Sequence, residues 1–218
     1  RYIGVTGVQT CALPICTAWK KAALGQSWQK GETLVCGIGQ GYVEATPLQL
    51  AVMTARIAHG GLAVTPRLVP AQAGTAAPAP APAPLGVDPA FLDIVRRGMQ
   101  QVVNGPRGTA RVAALDLPGV QVAGKTGTSQ VRRISKADRL ANRQKRPDIP
   151  WEQRDHALFI GYAPFAAPRY AVAVVVEHGI GGAKVAAPIA RDILRKALEL
   201  DPVGSGPGRI AARAALPA

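Results

Sequence analysis

The stretch Gly119–Gln130, "GVQVAGKTGTSQ", admits two incompatible structures around one lysine. Its first eight residues satisfy G-x-x-x-x-G-K-[ST], the pattern of a loop that cradles phosphate. Residues Lys125–Gly127 also spell Lys-Thr-Gly, a triplet that a strand can present at the rim of a site. A phosphate loop needs a buried strand before its first glycine and a helix beginning at the lysine. Here "AALDLP" precedes Gly119, and Pro118 is a poor strand end. The four residues that would aim their N–H groups at phosphate are Val120, Gln121, Val122 and Ala123. Alternating β-branched residues favour an extended strand over a nest of positive φ angles. Gly127, Thr128, Ser129 and Gln130 do not propagate a helix. Only "AVAVVVE", ending at Glu177, resembles the acid-tipped strand of a nucleotide site. The alternation therefore predicts a strand through Lys125.

Outward from this strand, "HALFIGYAP" and "RYAVAVVVEHG" predict two more, joined by the short link Pro164–Pro168 as an antiparallel hairpin. "AKVAAPIARDILRKALEL" predicts an amphipathic helix with Val185, Ile189, Ile193 and Leu198 on its apolar side. Upstream, Thr46-Pro47 with Gln49 makes a capping box that opens a helix from about Pro47 to His59. Its apolar positions are Leu50, Met53 or Thr54, and Ile57, and Gly60-Gly61 ends it. "LAVTPRLV" predicts a short strand. Asp88-Pro89 opens a further helix with Leu92, Val95, Met99 and Val102 on one face, ended by Asn104-Gly105-Pro106. Helices first, then three strands, then a helix imply an α+β fold: an antiparallel β-sheet flanked by helices, not alternating βαβ units.

The chain has 218 residues and a formal charge of +13. That length suffices for one sizeable core or a large part of a bigger domain. No apolar run is long enough to span a bilayer, and Arg1 is not a plausible translation start, so the chain is expected to continue N-terminally. Basic residues concentrate between Arg132 and Arg154, with Asp138, Asp148, Glu152 and Asp155 as partial offsets and Trp151 as the sole aromatic. One aromatic offers little base stacking, so a solvated loop is expected here and no nucleic-acid partner. Cys11, Cys16 and Cys36 lack zinc-ligand spacing. Val5–Ile15, "VTGVQTCALPI", resembles letter for letter the conceptual translation of a sequencing-library adapter. Residues 1–16 are therefore expected to be artefactual, and 17–200 to form the domain. Thr75–Pro84 is an Ala/Pro-rich insertion, and 201–218 is expected to be a disordered tail.

A strand bearing Lys-Thr-Gly-Thr has a definite chemistry. The Lys125 ammonium can hold a carboxylate by a charge-assisted hydrogen bond, and the Thr126 and Thr128 hydroxyls can bind the same anion. Gly127 has no side chain, so an extended peptide can lie against the strand and pair with it. The backbone N–H of Thr128 can serve as an oxyanion-hole donor.

The triplet is one of several ordered runs: "GIGQGYVEATPLQLAVMTARIAHGG", "GPRGTARVA", "VAGKTGTSQV", "DHALFIGYAP" and "AVAVVVEHGIGG". Together they resemble the C-terminal half of the transpeptidase domain of class B penicillin-binding proteins, over about Thr17 to Leu200, and "SWQKGET" fits the elongation-specific group. The resemblance implies the fold shared with serine β-lactamases and carries the family's motif onto Lys125, Thr126 and Gly127. It also implies a serine acyl-enzyme formed on stem peptides or β-lactam antibiotics, with no cofactor. Elongation-machinery membrane proteins would be its partners, and it would be the periplasmic domain of an inner-membrane-anchored protein. The family's other motifs are incomplete. No Ser-x-Asn occurs, and the one Ser-x-x-Lys, Ser27–Lys30, precedes Gly31, which is expected to break a helix there. The nucleophile is expected upstream of Arg1, leaving this chain inactive alone. The alternative is a non-catalytic module that senses wall peptides. His156 and His178, at two strand ends, are expected to be structural.

Overall fold

A computed structural model of the chain describes residues 17–67, 81–131 and 149–201. The helices are α1 (Thr17–Leu24), α2 (Lys30–Gly37), α3 (Pro47–Ala58), α4 (Pro89–Asn104) and α5 (Ala186–Leu200), and the strands are β1 (Ala123–Ser129), β2 (His156–Ala163) and β3 (Tyr170–Val176). The strands form one antiparallel sheet in the order β1-β2-β3. Residues 1–16, most of the Ala/Pro stretch, the basic run 132–148 and the tail from 202 lie outside the described residues.

Local chemistry sets the helix starts. Thr46 is extended, and its hydroxyl accepts from the Gln49 N–H at 3.2 Å. The Gln49 side chain accepts in return from the Thr46 N–H at 2.8 Å. Asp88 caps α4 by accepting from the Ala90 N–H at 2.8 Å. Both caps satisfy donors that a helix start leaves unpaired.

The sheet has two differently covered faces. On one, α5 packs Ala186, Ala187, Ala190, Leu194 and Leu198 onto Ala157, Phe159, Val172 and Val174. On the other, α3 and α4 bring Ala58 and Met99 to Ala123 and Tyr162. The Phe159 ring crowds two glycines: a Cβ on Gly124 would fall 2.3 Å from Phe159 Cζ, and one on Gly161 2.8 Å from Cε1. Any larger residue at either position would displace this buried ring.

Three expectations need correction, while the choice of a strand over a phosphate loop holds. No helix starts at Lys125, so the phosphate-loop alternative fails; the strand is Ala123–Ser129, and Val120 and Val122 precede it. Val122 is fully buried, so its apolar character reflects core packing before the strand begins. Gly31 does not break a helix. Gln29 and Glu32 form a capping box around the start of α2, and Gly31 sits in the first turn, where N–H groups lack intrahelical partners in any case. "LAVTPRLV" makes no strand among the described residues, only an isolated bridge from Leu62 to Pro84 at the end of the Ala/Pro stretch.

The predicted helix faces hold in part: Thr54, Met99 and Leu198 are buried as expected, but other positions on them are not. In α5, Ile189 and Ile193 are exposed, and the alanines with Leu194 meet the sheet. In α4, Val95 is exposed while Met99 and Val103 are buried, and in α3 Met53 is exposed while Thr54 is buried. Small side chains let a helix backbone approach a sheet closely, so burial follows fit as well as hydrophobicity.

Candidate active site

Strand β1 lies at the edge of the sheet and carries the Lys-Thr-Gly-Thr run. Its register pairs Lys125 with Ile160, Thr126 with Phe159, Gly127 with Leu158 and Thr128 with Ala157. Side chains alternate between faces along a strand, so Lys125 shares the α3/α4 face with Ile160, and Thr126 and Thr128 share the α5 face with Phe159 and Ala157. Lys125 and Thr128 are exposed; Thr126 and Gly127 are half-buried. All four residues therefore fall on one short edge segment.

The backbone of that segment is held by side chains. The Thr126 carbonyl accepts from Lys125 Nζ at 2.9 Å, and the Thr128 carbonyl accepts from Gln40 Nε2 at 2.7 Å. In an extended strand the N–H and C=O of one residue point the same way, and residues two apart point alike. Thr126 and Thr128 thus turn their peptide groups toward the same side, away from β2. Among the described residues, no carboxylate pairs with Lys125.

The loop carrying Gln40 is shaped by Gly39 and Gly41, at φ 76° and 73°, values favourable to glycine. It is anchored by a polar knot. Lys20 is only 2 % exposed, yet its Nζ lies 2.5 Å from Glu32 Oε1 and donates to the Ser27 carbonyl at 3.0 Å. Tyr42 donates its hydroxyl to the same Glu32 oxygen at 3.2 Å, and the Trp19 and Trp28 rings flank the Tyr42 ring. The Gln29 N–H and the Lys20 ammonium hold the Glu32 carboxyl below its ordinary range, and Glu32 raises Lys20 in turn. Ser27 stands before α2 and Lys30 is its first helical residue, so the two do not share a helical face. The sequence reading missed Gln40 and the role of Glu32; the capping spacing Gln29-x-x-Glu32 was the available signal for the second.

The two histidines close the turn after β3. His156 Nδ1 accepts from the His178 N–H at 2.9 Å, and His178 Nδ1 lies 2.9 Å from the Arg154 carbonyl oxygen. His178 has φ 55°, and its ring packs on Trp151 at 4.1 Å between centroids. That turn leads to Gly182, which lies against the backbone of Gly127 and Leu158.

Residues 17–195 match the penicillin binding protein transpeptidase domain. The chain is 36 % identical over 181 residues to the peptidoglycan D,D-transpeptidase MrdA of Haemophilus influenzae, covering 81 % of this chain and 27 % of that protein. It is 37 % identical over 180 residues to MrdA of Acinetobacter baumannii, covering 78 % and 25 %. Among solved structures it is similar to Pseudomonas aeruginosa PBP2 in complex with WCK 5153, with TM-score 0.70 and 42 % identity, over 89 % of this chain and 39 % of that one. It is similar also to PBP2 of Helicobacter pylori in its complex with MreC, with TM-score 0.70 and 30 % identity, over 88 % and 32 %. The chain spans about a quarter of the length of these curated relatives. An edge strand bearing Lys-Thr-Gly, helices on both faces of an antiparallel sheet and these matches lead to one conclusion: the chain belongs to the penicillin-binding protein transpeptidase family, on its PBP2/MrdA branch, and covers part of that domain.

Proposed function

We propose that this chain is the carboxylate-binding part of a peptidoglycan D,D-transpeptidase that cross-links stem peptides through a serine acyl-enzyme and is acylated by β-lactams. The observation that carries the reading is the edge segment Lys125–Thr128, with an exposed ammonium that lacks a carboxylate partner among the described residues. Lys125 from the α3/α4 face and the hydroxyls of Thr126 and Thr128 from the α5 face reach round the open edge of β1 to hold the terminal carboxylate of the donor peptide. Gly127 leaves room for the peptide against the strand. The Thr128 N–H stabilises the oxyanion as the serine attacks the penultimate carbonyl. Water is a poor competitor for a developing oxyanion against fixed N–H donors, since these need no reorganisation.

The attacking serine lies in a segment outside these 218 residues, because the only Ser-x-x-Lys in the chain spans a helix boundary. The chain alone is then inactive. The exposed apolar residues Phe91 and Ile94 on α4, Leu34 on α2 and Ile38 just after it, fit surfaces that further chain covers in the whole protein. No helix among the described residues is long and apolar enough to cross a membrane. The domain acts on the wall side of the inner membrane, where its substrate is, and elongation-machinery membrane proteins are its partners. The resolved complex of Helicobacter pylori PBP2 with MreC supports a partner of that kind.

Fluorescent penicillin tests the reading. The full-length protein is labelled covalently at a serine upstream of residue 17, Lys125→Ala labels about 100-fold more slowly, and the 218-residue chain stays unlabelled. Labelling of Ser27 would refute the placement of the nucleophile. A full-length protein that binds wall peptides yet never labels would replace the transpeptidase with a non-catalytic sensing module.

A further inference from the structure

Among the described residues, the Gly-rich loop reaches the proposed site through a hydrogen bond spanning 88 residues of sequence, from Gln40 Nε2 to the Thr128 carbonyl at 2.7 Å. We infer that Gln40 is a positioning residue: by holding the Thr128 carbonyl it keeps Thr128 in its extended conformation, in which the Thr128 N–H, carried by the preceding peptide plane, points to the same open edge of β1. The inference rests on the transpeptidase reading above. Thr128 is the next-to-last residue of an edge strand and is exposed, so the sheet holds it on one side only. Strand ends of this kind fray unless another group holds them.

Several features suit Gln40 to that task. Its donor takes the acceptor of Thr128 and leaves the Thr128 N–H free of it. Lys125 Nζ does the same for the carbonyl of Thr126, so along this edge the two carbonyls are occupied and the two N–H groups remain. An edge with that pattern favours oxygens of a substrate, whether carboxylate or oxyanion, over the N–H groups of a pairing strand. The loop itself is braced, because Gly39 and Gly41 set its turn and the knot of Lys20, Glu32 and Tyr42 sits at its two ends. Gln40 thus transmits the rigidity of a buried ion pair to the strand end.

The test uses the full-length protein and the kinetics of acylation by fluorescent penicillin. Gln40→Met keeps the length and removes the donor, Gln40→Glu puts an acceptor opposite an acceptor, and Gln40→Lys restores a donor. An oxyanion donor acts in the transition state, so Met and Glu are expected to lower the limiting acylation rate roughly tenfold. The penicillin concentration at half-maximal rate should change by less than about twofold and the melting temperature should stay that of wild type, with Lys recovering most of the rate. Unchanged rates in Met and Glu overturn the role of Gln40, as does a rate loss that Lys fails to recover or that tracks a fall in melting temperature. Failure of the wild type to acylate refutes the transpeptidase reading itself, so the two failures are distinguishable.

Discussion

Gly182→Ala adds one methyl group where the structure has no room for it. Gly182 precedes α5 and lies over the β1–β2 pair at Gly127 and Leu158. A Cβ there would fall 2.2 Å from the Leu158 carbonyl oxygen, 2.7 Å from that of Gly127 and 3.3 Å from the Gly127 nitrogen. Carbon and oxygen normally approach to about 3.3–3.6 Å, so the methyl is about 1 Å too close. All three obstacles are backbone atoms of hydrogen-bonded strands, and no rotamer change can relieve them. Over-packing of this kind costs about 1–3 kcal/mol, and an immovable obstacle puts Gly182→Ala at the upper end, about 3 kcal/mol. At about 2 °C per kcal/mol, the low end for a large domain and suited to a protein longer than this chain, the melting temperature falls by about 6 °C. The assay is thermal unfolding of the full-length protein followed by circular dichroism, with Gly181→Ala alongside. A Cβ on Gly181 meets nothing within 4 Å, so that control stays within about 0.5 kcal/mol of wild type. Penicillin acylation should drop in Gly182→Ala as well, because the displaced backbone is that of Gly127. A melting temperature within about 1 °C of wild type, or equal damage from Gly181→Ala, would refute the close-approach argument.

Further outcomes follow from the polar knot and the caps. Glu32 is held below its ordinary carboxyl range, so its contribution to stability is present above about pH 4.3 and is lost as pH falls through its lower folded value. Melting of wild type and Glu32→Gln should therefore differ at neutral pH and converge as pH falls below the ordinary carboxyl range; a pH-independent difference would sink this account. Lys20 is raised by Glu32, so its contribution persists below its ordinary value and is lost only as pH climbs through the higher folded one. Glu32→Gln should destabilise more than Lys20→Met, since it strands a buried ammonium while Lys20→Met removes it, and thermal melts of the two variants give the ranking. Thr46→Ala removes the cap of α3 and should cost about 1 kcal/mol, read from chemical denaturation with an unchanged slope.

Much of the molecule is written in short-range chemistry. The caps of α3 and α4 depend on side chains within three residues of the bonds they make, so Thr46, Gln49 and Asp88 disclose them without a fold. The order of helices and strands and the strand through Lys125 follow from local propensity and patterning in the same way, as do the long runs shared with the transpeptidase family. Which side of each helix is buried could not be read from periodicity alone. Periodicity marks a stripe, but the sheet selects the side that fits it, and against Phe159 and its neighbours α5 offers alanines while Ile189 and Ile193 face outward. Gly31 is different: the capping box of Gln29 and Glu32 that holds its helix start is local and was legible, and only the contacts of Glu32 with Lys20 and Tyr42 required the fold. The bond from Gln40 to Thr128 and the contact of Gly182 with Gly127 join residues distant in sequence, and neither residue type signals its partner. Sequence alone therefore determined the strand on which Lys125 sits, whereas tertiary structure decided what holds that strand's backbone in place. The reason is that hydrogen bonds along one segment follow from its own residues, while contacts between segments exist only once the chain has folded.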